Sequence, residues 1–484
     1  MQPAKDDISA ILSSLPYTYD VSDYAAEIKK DYTKSEGKAV SIAGRVVAIR
    51  RSGKLIFMDV LDSTGKIQCY FDYARLAGVF DSLKAINSGD IIGVKGKVFK
   101  TNPGEISVNV EKFELLSKAL RPLPSEWYGL KDPELRYRKR YLDLILNSES
   151  RKVFIMRSKI LKYIREFLDT RGFIEFETPT IQPLYGGGDA EPFETFISTL
   201  NEKGYLRISD ELYLKRLIIG GFDKVYEICK DFRNEDLDSE HSPEFTMIEW
   251  YQAYADYNDM MNLTEEMLGS IAKSVLGSNA LSYQGRTILL ASPFKKIKYV
   301  DSINEKVGLD VLSISDKELF SLVESKGLKL EKGKRHRAHA YDKLFSSLVQ
   351  PELVQPTFVM DYPRETSPLT RPKRGNPKLV ERFELYIGGL EIANSYSELN
   401  NPLIQRENFE MEAKKITEGD KEAEPMDLDF LEAMEYGMPP TGGLGMGIDR
   451  LVMLFTGKNS IKEVILFPME KKENKGKKGG QLSA

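Results

Sequence analysis

Cysteine is almost missing from this chain: two residues in 484, Cys69 and Cys229, set far apart. So few thiols argue against a disulfide framework and fit a reducing compartment. Histidine is nearly as scarce. With only His241, His336 and His339 present, a His/Cys metal centre is disfavoured, and any bound metal is expected to be a hard cation held by carboxylates and phosphate. No long uncharged apolar run exists, so no membrane span is expected, and the first residues lack the basic-then-apolar pattern of a secretory signal. A cytoplasmic location follows from these absences as an expectation. Positive charge is not in excess either: 69 Lys and Arg stand against 73 Asp and Glu, a net charge of −4. Any affinity for nucleic acid must therefore reside in a local surface.

What is present is a chain long enough for two or more domains, with 41% hydrophobic and 29% charged residues. Residues 1–35 read as an amphipathic helical leader. Residues 36–118 then change to short alternating strands, "VSIAGRVVAIR", "LIFMDVLD", "KIQCYFD", "DIIGVKGKVFK" and "EISVNVEKFELL", separated by turn residues. Five short strands in so few residues predict a small closed barrel of the OB type. Prolines and a charged helical stretch mark 119–145 as a linker. Residues 146–470 form a larger α+β domain. Val153, Met156, Ile160, Ile164 and Phe167 recur at helical spacing, with Gly172 as a stop. "FIEFETPTI" reads as a strand, and further strands are expected at 205–208, 224–232, 244–251, 357–361, 383–399 and 464–467. A mostly helical insertion is expected at about 259–350. The strands do not alternate regularly with helices, which predicts an antiparallel sheet with flanking helices. The lysine-rich end, 471–484, is expected to be disordered.

One stretch sets carboxylates among large apolar residues. In "DFRNEDLDSEHSPEFTMIEWY" (231–251), Phe245, Met247, Glu249 and Tyr251 share one strand face by period 2, opposite Thr246, Ile248 and Trp250. Arg233 lies on the preceding strand. "RFELYIGGLEIANSYSELN" (382–400) carries Glu384, Glu391 and Glu398. Asn394, Tyr396 and Glu398 are in phase with each other and Glu391 is not, so a bulge is expected between them. "GLGMGIDRLVMLFTG" (443–457) places glycines, Gly447 the last, ahead of Asp449 and Arg450 at a helix start that suits an anion.

In order and separation, "GFIEFETPTI", "FRNED…HSPEFTMIEW" and "GLGMGIDRLVML" resemble motifs 1, 2 and 3 of the class II aminoacyl-tRNA synthetases. "ISDELYLKRLIIGGFDKVYEI", "EWYQAYADYNDM", "IANSYSELNNP" and "RYRKRYLDLI" resemble the lysyl-tRNA synthetases more specifically. The likeness spans nearly the whole chain, the barrel resembling the anticodon-binding domain of the lysyl, aspartyl and asparaginyl subgroup. It implies ATP-dependent activation of L-lysine and its transfer to tRNA(Lys), with Mg²⁺ as cofactor.

The resemblance implies these roles. Arg233 and Arg450 are catalytic. ATP is bound by Arg233, Glu235, His241, Phe245, Glu384, Glu391, Gly447 and Arg450, with Phe245 as a flat face for adenine and Arg450 stacking opposite. Glu384 and Glu391 hold the metal. Lysine is bound by Gly187, Gly188, Glu211, Arg233, Glu249, Tyr251, Asn394, Tyr396 and Glu398, an acidic pocket suited to an ammonium. Gly187 and Gly188 belong to "YGGGDAEPF", a loop that closes over the amino acid. Ser242 stands where the family more often has asparagine, and Asp189 and Glu191 where it often has a basic residue. Pro179, in motif 1, is expected at a homodimer interface. In the barrel, Arg50, Phe57, Gln68 and Glu105 resemble residues that read a U-rich anticodon, by stacking and base-edge bonds. The alternatives are an aspartyl- or asparaginyl-type ligase, a relative that lysylates protein, and a non-catalytic RNA-binding paralogue.

Overall fold

The computed structural model describes residues 5–124, 130, 132–330, 336–417 and 422–471. All but the first residue of the basic tail, and part of the linker, lie outside the described residues. No described helix is long and apolar enough to cross a membrane. The chain divides into two compact units, Met1–Lys131 and Asp132–Ala484.

In the first unit, β1 (Ala39–Ser52), β2 (Leu55–Leu61), β3 (Lys66–Asp72), β4 (Ile91–Lys100) and β5 (Ile106–Ser117) close into a barrel in the order β1-β2-β3-β5-β4. Alternation closes it: Ile56, Met58 and Val60 of β2, with Ile67, Cys69 and Phe71 of β3, are buried inside. Helices Lys5–Ser13, Ala25–Lys30 and Tyr32–Ser35 precede it, and Ala25 and Ile28 join the barrel core. The leader is thus helical only in pieces.

The second unit is built on an eight-stranded sheet. Its strands are β6 (Ile174–Glu175), β7 (Lys224–Phe232), β8 (Glu244–Ala253), β9 (Lys295–Lys298), β10 (Thr357–Met360), β11 (Arg382–Ile387), β12 (Leu390–Ser397) and β13 (Thr441–Gly447). Their order is β9-β10-β11-β12-β13-β8-β7-β6. Only the outermost pairs, β6 with β7 and β9 with β10, are parallel. Helices α1 (Ser148–Asp169), α2 (Glu211–Ile219), α3 (Tyr257–Leu276) and α4 (Ile448–Thr456) flank it. Ile248 and Trp250 of β8 are fully buried in the core with α1, α3 and α4, which frees the opposite face of β8 for the site.

Three expectations are corrected and one is extended. First, residues 464–467 do not form a strand; a short 3-10 turn, Ile461–Glu463, precedes them. The carbonyls there are taken by arginines: Arg140 donates to Leu466 (2.9 Å) and Lys462 (2.7 Å), and Arg157 to Val464 (3.3 Å). Second, 259–350 holds further elements beside its helices. It holds a hairpin, Ala280–Tyr283 with Arg286–Leu289, and the sheet-edge strand β9. The hairpin turns on Gln284 and Gly285, both with positive φ. In β9, three of four residues are lysine, a charge pattern that suits an edge and hides a strand from a hydrophobicity reading. Third, 383–399 is two strands, split by a turn at Gly388 and Gly389, whose φ values of +66° and +82° suit glycine. Fourth, "FIEFETPTI" is not one strand: it gives the two residues of β6, and its last residue, Ile181, belongs elsewhere. Ile181–Gln182 pairs instead in a separate three-stranded sheet, with Pro179 between them.

Candidate active site

Every residue proposed above for ATP, lysine or metal lines one cavity of about 400 Å³, over the face of β8, β12 and β13. The barrel residues lie in the other unit, and Pro179 is exposed away from the cavity lining. The β8 register places Glu249 opposite Gly445 and Tyr251 opposite Gly443 of β13. Gly443 is required there, because a Cβ would run into the Glu398 carboxylate and the Tyr251 ring. The expected bulge is at Ile392: Leu385 pairs with Ala393, but Tyr386 pairs with Glu391. That extra residue turns Glu391 into the cavity beside the β11 acid Glu384.

At one end of the cavity the groups are acidic. Glu249 accepts hydrogen bonds from Ser209 Oγ and Tyr251 Oη, both at 2.8 Å. Glu211 opens α2, its backbone N–H held by Ser209 Oγ at 3.0 Å. Glu398, fully buried just beyond β12, forms an ion pair with Lys215, whose ammonium also binds Glu211. Burial, opposed by Lys215 and reinforced by the charge of Glu211, pushes the Glu398 carboxyl up to about 8. Asn394 Nδ2 donates to Tyr396 Oη at 3.1 Å, so the two side chains act together.

At the other end the charges are mixed. The Arg233 guanidinium stands 5.2 Å from the centre of the Phe245 ring, and its Nε lies 3.5 Å from the Ile208 carbonyl. Arg450 donates to the Glu391 carbonyl at 3.0 Å, and its other nitrogen lies 3.1 Å from His241 Nε2. His241 is braced by Asp238 at 2.9 Å. Glu235 accepts from the Glu191 backbone at 3.0 Å, tying the motif turn to the glycine-rich loop. Glu384 accepts from Tyr362 at 2.7 Å, from Tyr386 at 2.5 Å and from Arg382. Burial, then the charge of Glu384, raises the Glu391 carboxyl.

Several residues of this constellation escaped the sequence reading. Arg382 donates to Asn394 Oδ1 (3.1 Å) and Ser367 Oγ (2.8 Å), pairs with Glu384 and lies 5.7 Å from the Tyr396 ring centre. Its period-2 spacing from Glu384 was the available signal. Lys215 was signalled by its i,i+4 spacing from Glu211. Glu424 accepts from the Gly188 N–H at 2.5 Å, and Ala190 N–H donates to the Glu422 carbonyl at 3.1 Å. Segment 422–424 thus clasps the glycine-rich loop, a long-range contact without a local signature. Asp449 is a structural tie: it pairs with Arg157 at 2.5 Å and accepts from Thr246 N–H at 2.7 Å.

On the barrel, Arg50 and Phe57 are cross-strand partners on β1 and β2. Phe57 lies 5.2 Å from the Tyr70 ring in a tilted contact, and Tyr70 lies 5.6 Å from Phe99 edge-on. Gln68 Oε1 accepts from Ser107 at 3.0 Å, Arg50 pairs with Asp59 at 3.1 Å, and Glu105 with Lys29 at 3.0 Å.

Comparison with known proteins agrees with this layout. Residues 132–471 match the family model for tRNA synthetases class II (D, K and N), and residues 40–116 that for the OB-fold nucleic acid binding domain. A lysine–tRNA ligase of Methanoculleus marisnigri is 49% identical over 471 residues, covering 96% of this chain and 92% of the relative. Lysine–tRNA ligase 2 of Methanosarcina mazei is 48% identical over 475 residues, with the same coverages. A lysine–tRNA ligase of Thermoanaerobacter pseudethanolicus is 48% identical over 458 residues, covering 94% and 92%. With strand order, cavity and sequence all in agreement, this chain belongs to the class II tRNA synthetases of the D, K and N group.

Proposed function

We propose that this protein is a lysine–tRNA ligase, which activates L-lysine with ATP to lysyl-adenylate and transfers it to the 3′ end of tRNA(Lys). The observation that carries the reading is the charge count at the acidic end. Glu211, Glu249 and Glu398 bring three carboxylates against one lysine, Lys215. Once Glu398 gives up the proton that burial holds on it, two negative charges remain to be met, and free lysine carries two ammonium groups. Aspartate would bring a second carboxylate and asparagine no side-chain charge, so each leaves buried acid unpaired at a cost of several kcal/mol. The named relatives support the same choice.

Activation joins two anions, the lysine carboxylate and the α-phosphate. Arg233, in the cavity between Phe245 and the acidic end, is suited to hold both and to stabilise the charge that develops. Phe245 offers adenine a face, and in that complex the Arg233 guanidinium leaves the ring for the phosphate. Arg450, tied to Glu391 and His241, supplies the second cation along the nucleotide. Glu235 anchors the turn, and Gly187 and Gly188 cover the amino acid from the clasped loop.

The residues fit Mg²⁺. Glu384 and Glu391 are hard-oxygen donors in one cavity, and the charge of Glu384 raises Glu391, a repulsion that a divalent cation removes. When bound with ATP, the ion neutralises phosphate charge. A homodimer is proposed through the segment that holds Pro179, where Ile174 and Ile181 are also exposed. Phe57, Tyr70, Arg50, Gln68 and Glu105 are proposed to meet the anticodon, and the protein to act in the cytoplasm with the translation machinery. A crystal soaked with lysine and a nonhydrolysable ATP analogue tests the site. Lysine is expected with its ε-ammonium at Glu398 and Tyr251 and its α-amino group at Glu211; either molecule lodged elsewhere contradicts the reading.

A further inference from the structure

Beneath the acidic end lies a second set of acids with no role so far. Asp210 immediately precedes α2 without a side-chain capping bond, and Asp231 lies on β7; neither is exposed. Carboxylate oxygens of Asp210, Asp231 and Glu249 lie within 4.8 Å of one another, as do ligand atoms of Asp210, Glu227 and Cys229. Most members have a visible partner. Glu227 accepts from Arg207 at 2.7 Å, Asp231 faces Arg207 at 3.4 Å and Cys229 Sγ at 3.5 Å, and Glu249 is held by Ser209 and Tyr251. Asp210 differs: neither of its oxygens has a hydrogen-bond donor among the described residues.

An ionised carboxylate so placed is unstable. It would face Glu249 on β8 and Glu227 and Asp231 on β7, with Arg207 already committed to the β7 acids and Arg233 beyond them. A buried carboxyl without a cation or donor keeps its proton. Once protonated it becomes a donor, and of the carboxylates within 4.8 Å, Glu227, Asp231 and Glu249, Glu249 is the one placed to share a hydrogen bond with it. We propose that Asp210 is a neutral carboxylic acid whose hydroxyl donates to Glu249, which makes it a positioning residue for the amino-acid pocket. Burial and the neighbouring acids, which raise the Asp210 carboxyl well above its ordinary range, agree with this geometry.

The consequence reaches the substrate, on the reading of the cavity as a lysine site. With Asp210 donating, Glu249 has three donors and a fixed position. The Tyr251 hydroxyl proton stays committed to Glu249, so its oxygen lone pairs face the cavity and accept from an ammonium. Asp210 itself adds no charge, so the charge that the pocket offers to the lysine ammonium groups is unchanged.

Two variants separate donation from charge. D210N keeps a neutral donor of the same shape; D210L removes it at similar volume. In lysine-dependent pyrophosphate exchange, D210L is expected to raise the lysine KM by roughly 10- to 100-fold, as for loss of a hydrogen bond to a charged group, with the ATP KM within about threefold. D210N is expected to restore the lysine KM to within about threefold of the parent. Infrared difference spectra between parent and D210N should show the carbonyl band of an un-ionised carboxyl group, a readout independent of turnover. A D210L enzyme with a parental lysine KM, a D210N enzyme as impaired as D210L, or no such band overturns the proposal. So does Mn²⁺ located by anomalous scattering between Asp210, Asp231 and Glu249, because the acids would then be ionised ligands. Absence of lysine-dependent exchange in the parent enzyme would instead refute the lysine reading, and the infrared band would still decide the state of Asp210.

Discussion

At the scale of single residues, the proposed roles assign binding and charge stabilisation to different side chains. Arg233→Met is expected to lower lysine-dependent pyrophosphate exchange by roughly 100- to 1,000-fold, the loss typical of one preorganised charge-stabilising group; rapid-mixing kinetics should place the loss in kcat. Glu398→Gln should weaken lysine use far more than ATP binding, and equal losses in both would remove Glu398 from the specificity pocket. The Glu398 carboxyl also sets a pH dependence. Its value of about 8, against 4.5 for an ordinary glutamate, means that the folded, empty site holds a proton between those limits that the unfolded chain has lost. This group's contribution to stability therefore declines as pH rises through that window. If Glu398 meets the lysine ammonium as proposed, binding takes the ionised form and expels the proton, so affinity should fall about tenfold per pH unit below about 8 and level off above it. Calorimetry in two buffers of different ionisation enthalpy measures that proton; a lysine affinity flat across the range contradicts the assignment.

At the scale of elements, the pocket depends on how β8, β12 and β13 meet. Gly443→Ala puts a methyl group against Glu398 and Tyr251. By the usual cost of overpacking it should raise the lysine KM by roughly 10- to 100-fold, with a smaller change in the ATP KM and a lower melting temperature. Much of this level was legible in the sequence. The strands β7 and β8, the bulge before Asn394 and the alternation that puts Glu249 and Tyr251 in the cavity follow from period 2. What was hidden has physical reasons. The charged edge strand β9 lacks a hydrophobic pattern, and the arginines that capture the carbonyls of 462–466 arrive from more than 300 residues away. Arg382, Lys215 and Asp210 have no motif of their own; their importance comes from burial beside other charges, which only the fold creates.

At the scale of the whole molecule, the barrel and the catalytic unit each have their own hydrophobic core. RNA recognition and activation should therefore be separable. Phe57→Ala should raise the KM for tRNA(Lys) by roughly 10-fold, the worth of one stacked base, while leaving lysine-dependent pyrophosphate exchange within about twofold. A comparable loss in exchange would show that the barrel acts on the chemistry and not on the RNA. The most direct measurement is ATP–pyrophosphate exchange with each of the twenty amino acids in turn, with and without Mg²⁺. Lysine alone, and only with the metal, is expected to give a strong signal; exchange with aspartate or asparagine, or none with lysine, would contradict the account.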